Sequence, residues 1–196
     1  MTFKIILAVV IGTVVGLFVP TEWYGATDTM LTIGLCLLLF FVGIDIGKNK
    51  NVFQDIKRTG ALFFIVPIGV ALGSLIGAIA MGYLLGYPLN ESGAIGSGLG
   101  WYTLSSIIIA PYSSELSVLA FLTNVMREVF AIAIIPIIAT RVGFIEAIAP
   151  AGATAMDTTL PIILRNTSSE TAILSFSTGL ILSTLVPILV PMFLFR

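Results

Sequence analysis

The chain has 196 residues, 58% of them hydrophobic and 10% charged, with no histidine, one cysteine and a formal net charge of −1. A mean hydropathy of +1.12 lies far from that of soluble globular domains and marks an integral membrane protein. Near-neutral charge gives no reason to expect nucleic acid as a partner, and the lone Cys36, inside an apolar run, rules out a disulfide framework or a thiolate metal site. No cofactor and no metal is expected.

In chain order, the first apolar stretch, "MTFKIILAVVIGTVVGLFVP", has Lys4 ahead of an apolar run, as a signal peptide would. It has no small-x-small cleavage pattern after it, so it is expected to stay as a helix. Crossing the hydrocarbon core takes about 20 mostly apolar residues. Five segments qualify: 3–20, 30–47, 60–85, 116–140 and 171–195. Two others, 89–114 ("LNESGAIGSGLGWYTLSSIIIAPYSS") and 143–168 ("GFIEAIAPAGATAMDTTLPIILRNTS"), are interrupted midway by small residues, hydroxyls or proline. Each is long enough for two half-helices and a turn. The fold expected is an all-α polytopic membrane protein with about five full transmembrane helices and two broken or re-entrant hairpin segments. It forms one transporter domain over 1–196, with two helices in 1–50 and a core in 59–196 that carries both broken segments.

Basic residues set the orientation. Lys48, Lys50, Lys57 and Arg58 crowd the connection after the second helix, which places that loop and the N-terminus in the cytoplasm. If both broken segments re-enter, Arg141 and Arg165 also return to the cytoplasm and only Arg196 is external. The hairpin arrangement is therefore preferred, with the C-terminus outside and the two tips meeting near the midplane. Interrupted segments in corresponding positions of inverted repeats are the sequence pointer to a secondary transporter's substrate site. Irregular backbone at that depth persists only where protein or a wet cavity surrounds it.

Asp157 stands in the second broken segment. An intramembrane carboxylate usually marks an ion or proton pathway, although it can also cap the following half-helix. Thr154, Thr158 and Thr159 can bind a substrate or satisfy helix backbone. Asn124, Arg127 and Glu128 are related by three and four residues and share one helical face. Arg127 offers a fork of donors to a carboxylate and Glu128 a site for a cation or proton; a buried ion network is the bland alternative. Gly96, Gly98 and Gly100 permit close backbone approach. Trp101 and Tyr102 offer aromatic faces to a cation or simply pack. Ser105 and Ser106 can ligate through oxygen. Asp45 lies near the cytoplasmic end of the second helix, as a gate or coupling acid or as a plain interfacial residue. The glycine repeats Gly69, Gly73, Gly77 and Gly12, Gly16 read as helix packing.

The motifs "FVGIDIG", "GLGWYTLSS", "NVMREVFAIAIIP" and "GATAMDTTLPI", in this order, resemble the LysO lysine-exporter family along nearly the whole chain. The resemblance implies export of L-lysine and its analogues across the cytoplasmic (inner) membrane of a bacterium or archaeon, in exchange for protons, with no enzymatic activity. It also implies a functional acid at Asp157. Longer members carry a further N-terminal block of helices, which a homodimer or a small membrane partner subunit would supply here. Free lysine has one carboxylate and two ammonium groups, so the ε-ammonium is expected at Asp157. The carboxylate is expected at Arg127, Asn124 or half-helix amides, where the dipole is positive. Coupling would be competition, because Asp157 or Glu128 cannot hold a proton and pair with lysine at once. A sodium/proton antiporter could use the same acids. An intramembrane aspartyl protease pairing Asp45 with Asp157 is disfavoured, because no G-x-G-D motif is present.

Overall fold

The computed structural model describes residues 60–195 and scattered positions between 7 and 44. The chain divides into two compact units, 1–50 and 51–196. In the first, the positions described between 7 and 16 and between 29 and 44 are helical. Asp45 and the bases Lys48, Lys50, Lys57 and Arg58 lie outside the described residues, as does Arg196.

Among its described residues the second unit is built of helices and turns, with no strand. Its elements are α1 (Leu62–Leu85), α2 (Leu89–Gly96), α3 (Tyr102–Ile109), α4 (Ser114–Arg141), α5 (Leu160–Asn166) and α6 (Ser169–Leu194). Two 3-10 turns, Glu146–Ile148 and Gly152–Met156, lie between α4 and α5. α1, α4 and α6 are each long and apolar enough to cross a membrane, at about 1.5 Å of rise per residue. They correspond to the three uninterrupted segments expected after residue 59. Much of their apolar surface faces outward: Phe64, Ile65, Ile68, Leu72 and Ile76 of α1 are all exposed, as lipid-facing or further helix-packing surfaces require.

Local chemistry sets the ends of these elements. Ser113 and Ser168 precede α4 and α6 in extended backbone, and their hydroxyls accept from the amides of Leu116 and Thr171, so each helix starts on a side-chain cap. Glu115 and Glu170 stand in the first turns, where the helix dipole favours negative charge. α1 ends at Gly86 in left-handed backbone, and Pro88 stands immediately before α2.

The first interrupted segment turns back on itself. The Tyr112 hydroxyl, just before α4, donates to the Glu91 carboxylate at 3.3 Å and lies 3.5 Å from the Asn90 amide nitrogen, so the start of α2 and the end of α3 share one end of the unit. Phe193 lies against Gly93 at that same end. α6 therefore begins at the opposite end, where α4 also finishes, and the second interrupted segment leaves from and returns to that end.

The two turns meet in the interior. The Ala153 amide donates to the Leu99 carbonyl at 2.8 Å. Gly152 has φ +63°, and a Cβ there would sit 2.2 Å from the Leu99 carbonyl oxygen and 3.0 Å from the Arg127 guanidinium carbon. Only glycine fits such a crossing. Gly179 of α6 does the same for the second turn: a Cβ there would collide with the backbone of Met156 and Ala153. The buried core, including Leu99, Ile109, Leu182, Val186 and Val190, surrounds this crossing and the C-terminal half of α6.

Candidate functional site

Midway along α4, three polar side chains divide between two tasks. Asn124 is 3% exposed. Its side-chain oxygen accepts from the Gly100 amide at 2.7 Å, and its nitrogen donates to the carbonyls of Ala120 (2.9 Å) and Ile95 (3.4 Å). The first turn is thus fastened by backbone groups that the break in the helix leaves open. Arg127, one turn on, fastens the second turn. It donates from Nε to the Pro150 carbonyl at 3.0 Å, from Nη2 to the Ala149 carbonyl at 3.2 Å, and from Nη1 to the Ser74 hydroxyl of α1 at 2.9 Å. The Ser74 hydroxyl donates in turn to the Gly96 carbonyl at 3.0 Å. One arginine therefore links α1 and both interrupted segments, and all three of its acceptors are neutral oxygens.

Glu128 is the next residue, about 100° further round the helix, and it meets different groups. The Thr158 hydroxyl lies beside the Glu128 carboxylate and donates to Oδ1 of Asp157 at 3.3 Å, which accepts from the Thr158 amide as well. The Tyr102 ring, at the start of α3, is within electrostatic reach of both carboxylates and packs edge-on against Phe121, 5.4 Å between centroids. Both acids and Thr158 are half-buried. Two carboxylates and a hydroxyl beside an aromatic ring are groups of the kind that can hold a cation or a proton.

The remaining candidates are placed as follows. The Thr154 hydroxyl donates to the Ala151 carbonyl and that of Thr159 to the Thr154 carbonyl, each at 2.8 Å, so both are internal to the second turn. Ser105 is buried and bonds the Tyr102 carbonyl at 3.2 Å, and Ser106 bonds that of Thr103 at 3.0 Å. Trp101 is 37% exposed at the first turn, where Gly100 takes φ +103°. Gly98 and Gly96 pack closely, the first under the Asn124 amide and the second under Ala78. Asp45 lies outside the described residues. Thus Asp157, Glu128, Thr158 and Tyr102 come together, while Asn124, Arg127 and Thr154 hold the turns in place.

Sequence reasoning passes over Ser74, Gly152 and Glu146. Ser74 is the only hydroxyl in a glycine-spaced stretch of α1, and a donor-acceptor between Gly73 and Gly77 was the available signal. Gly152 stands among small residues, and nothing local distinguishes it as the contact point.

Residues 6–194 match the family described as "Lysine exporter LysO". The protein of that name from Escherichia coli K12 is 35% identical over 195 residues, covering 98% of this chain and 64% of the relative. A Haemophilus influenzae protein provisionally named a lysine exporter is 30% identical over 197 residues, covering 97% of this chain and 96% of its own length. This chain therefore spans somewhat under two thirds of the E. coli relative. No solved structure matches. With the match running almost from end to end, the chain belongs to the lysine exporter LysO family.

Proposed function

We propose that this chain exports L-lysine and its analogues across the cytoplasmic membrane, exchanging them for protons by alternating access around Glu128 and Asp157. The observation that carries this reading is the gathering of two half-buried carboxylates, Glu128 of α4 and Asp157 of the second interrupted segment, around Thr158. Substrate ammonium groups need acids at that depth, and acids at that depth need a cation or proton. The names of the two relatives and of the family support lysine as that cation's carrier.

In this reading the ε-ammonium of lysine sits between Asp157 and Glu128, with Tyr102 and Trp101 offering ring faces. The amides at the start of α3 meet the carboxylate; Trp101 provides no side-chain cap there, and the dipole is positive. Proton coupling follows by exclusion, since a protonated pair of acids releases lysine and an ionised pair rebinds it. The two folded-back segments are re-entrant hairpins of an inverted repeat within five full spans, the N-terminus inside and the C-terminus outside. A homodimer or a small membrane subunit completes the assembly. The protein is a transporter and not an enzyme.

The test is counterflow of labelled L-lysine into proteoliposomes preloaded with unlabelled lysine. Wild type accumulates label, and Asp157→Asn does not. A mutant that transports normally would remove Asp157 from the site. The second reading, a sodium/proton antiporter, draws on the same two acids. It would be favoured if sodium, but not lysine, dissipated a proton gradient in these vesicles.

A further inference from the structure

Gly82 of α1 packs against Ser92 of α2, but the repeat Gly69, Gly73 and Gly77 meets no other helix among the described residues of this unit. Among the described residues, and apart from the backbone of α1 itself, no heavy atom lies within 4 Å of a Cβ built on Gly69, Gly73 or Gly77. These glycines instead form one wall of a cavity of ≈ 650 Å³, which Ser74, Arg127 and Glu146 also line. Glu128, Asp157, Thr158 and Tyr102 are not among its lining residues, so this chamber is separate from the acid pair.

We propose that the cavity is a second ligand site, which takes the zwitterionic head of an α-amino acid with its carboxylate on Arg127 and its ammonium towards Glu146. The class of ligand rests on the amino-acid reading above; the existence of the site rests on the geometry. Arg127 is a charged group midway along a membrane-length helix, and its hydrogen bonds to the protein go to the neutral oxygens of Ala149, Pro150 and Ser74. A charge at such depth calls for a counter-charge, and a guanidinium has more N–H groups than these three bonds use. The fork of an arginine fits a carboxylate. Glu146, exposed on the 3-10 turn that follows α4, lies over Gly143 and also lines this cavity, to which it brings the opposite sign. Bare glycine backbone on the facing wall leaves room for the rest of the ligand, and the volume falls in the range of about 300–1,000 Å³ usual for small-molecule sites.

The experiment measures binding to the purified full chain in nanodiscs with two labelled probes. Norleucine has the α-ammonium and carboxylate of lysine without the ε-ammonium; cadaverine has both ammonium groups without the carboxylate. Wild type binds norleucine saturably, and Gly73→Leu, which fills the cavity, weakens that binding by about tenfold or more. The substituted Cβ meets open space, and leucine is the better helix former, so the unfolding temperature of the variant stays at or above that of wild type. Norleucine binding that is absent from wild type, or unchanged in Gly73→Leu, overturns the proposal. Pentanoate displacing norleucine as well as norleucine itself does overturns the zwitterion assignment. Cadaverine bound without norleucine defeats this site and leaves the acid pair standing; norleucine bound without cadaverine does the reverse.

Discussion

Arg127 and Glu128 are neighbours in the chain, yet they belong to different parts of the molecule. The arginine bonds to carbonyls of the second turn and to α1 and looks into a cavity walled by glycine. The glutamate meets Thr158 in the company of Asp157 and Tyr102. Side chains one residue apart on a helix diverge by about 100°, so opposite charges here do not neutralise one another. Each instead answers to what faces it. On one side the broken backbone needs donors, and Asn124 and Arg127 supply them; on the other, two acids come together. One helix face fastens the turns and borders the glycine-walled cavity, and the adjacent one carries the acid pair to which the proposed function assigns the ε-ammonium.

This comparison can be broken experimentally, and the largest effect belongs to the crossing on which both sides depend. Gly152→Val places a side chain against the Leu99 carbonyl and the Arg127 guanidinium in left-handed backbone. It is expected to cost more than about 3 kcal/mol and to appear as lost expression or a collapsed thermal transition in detergent. Asn124→Ala follows. It leaves the Gly100 amide buried without its acceptor, at a cost of about 1–3 kcal/mol, read as a lower unfolding temperature in lipid nanodiscs. The threonines provide a finer contrast with the same chemical change. Thr154→Val removes a hydroxyl internal to the second turn and is expected to lower stability by about 1 kcal/mol. Thr158→Val removes the hydroxyl that donates to Asp157 beside Glu128, so lysine counterflow is expected to drop several-fold while the unfolding temperature barely moves. If the two threonine variants behave alike, the division between fastening and binding fails. The smallest effect is expected from Ser74→Ala, which cuts the link from Arg127 to Gly96 at about 0.5–1.5 kcal/mol.

Much of the fold could be read from the sequence because lipid imposes a simple rule: long apolar runs become helices. The three segments beginning near residues 60, 116 and 171 appear as α1, α4 and α6. The interruptions at 89–114 and 143–168 were visible because glycine, hydroxyls and proline replace apolar residues where a plain span would have none. The shared face of Asn124, Arg127 and Glu128 was legible from spacing alone. Its division was not, because spacing gives a direction around α4 and says nothing of what lies in that direction. The same limit applies to Thr154 and Thr158, alike in composition and separated in role by which way a short turn points. The glycine repeat of α1 illustrates it from the other side: a spacing that signals helix packing instead borders an open cavity in this unit.

The most direct test of the account is lysine counterflow by Glu128→Gln in proteoliposomes, with thermal unfolding of the same preparation as control. A charge-assisted contact is worth about 1.5–3 kcal/mol, so transport is expected to fall by roughly tenfold to a hundredfold while the unfolding temperature holds. Wild-type counterflow by that variant would contradict the claim that the acid face of α4 is where the substrate binds.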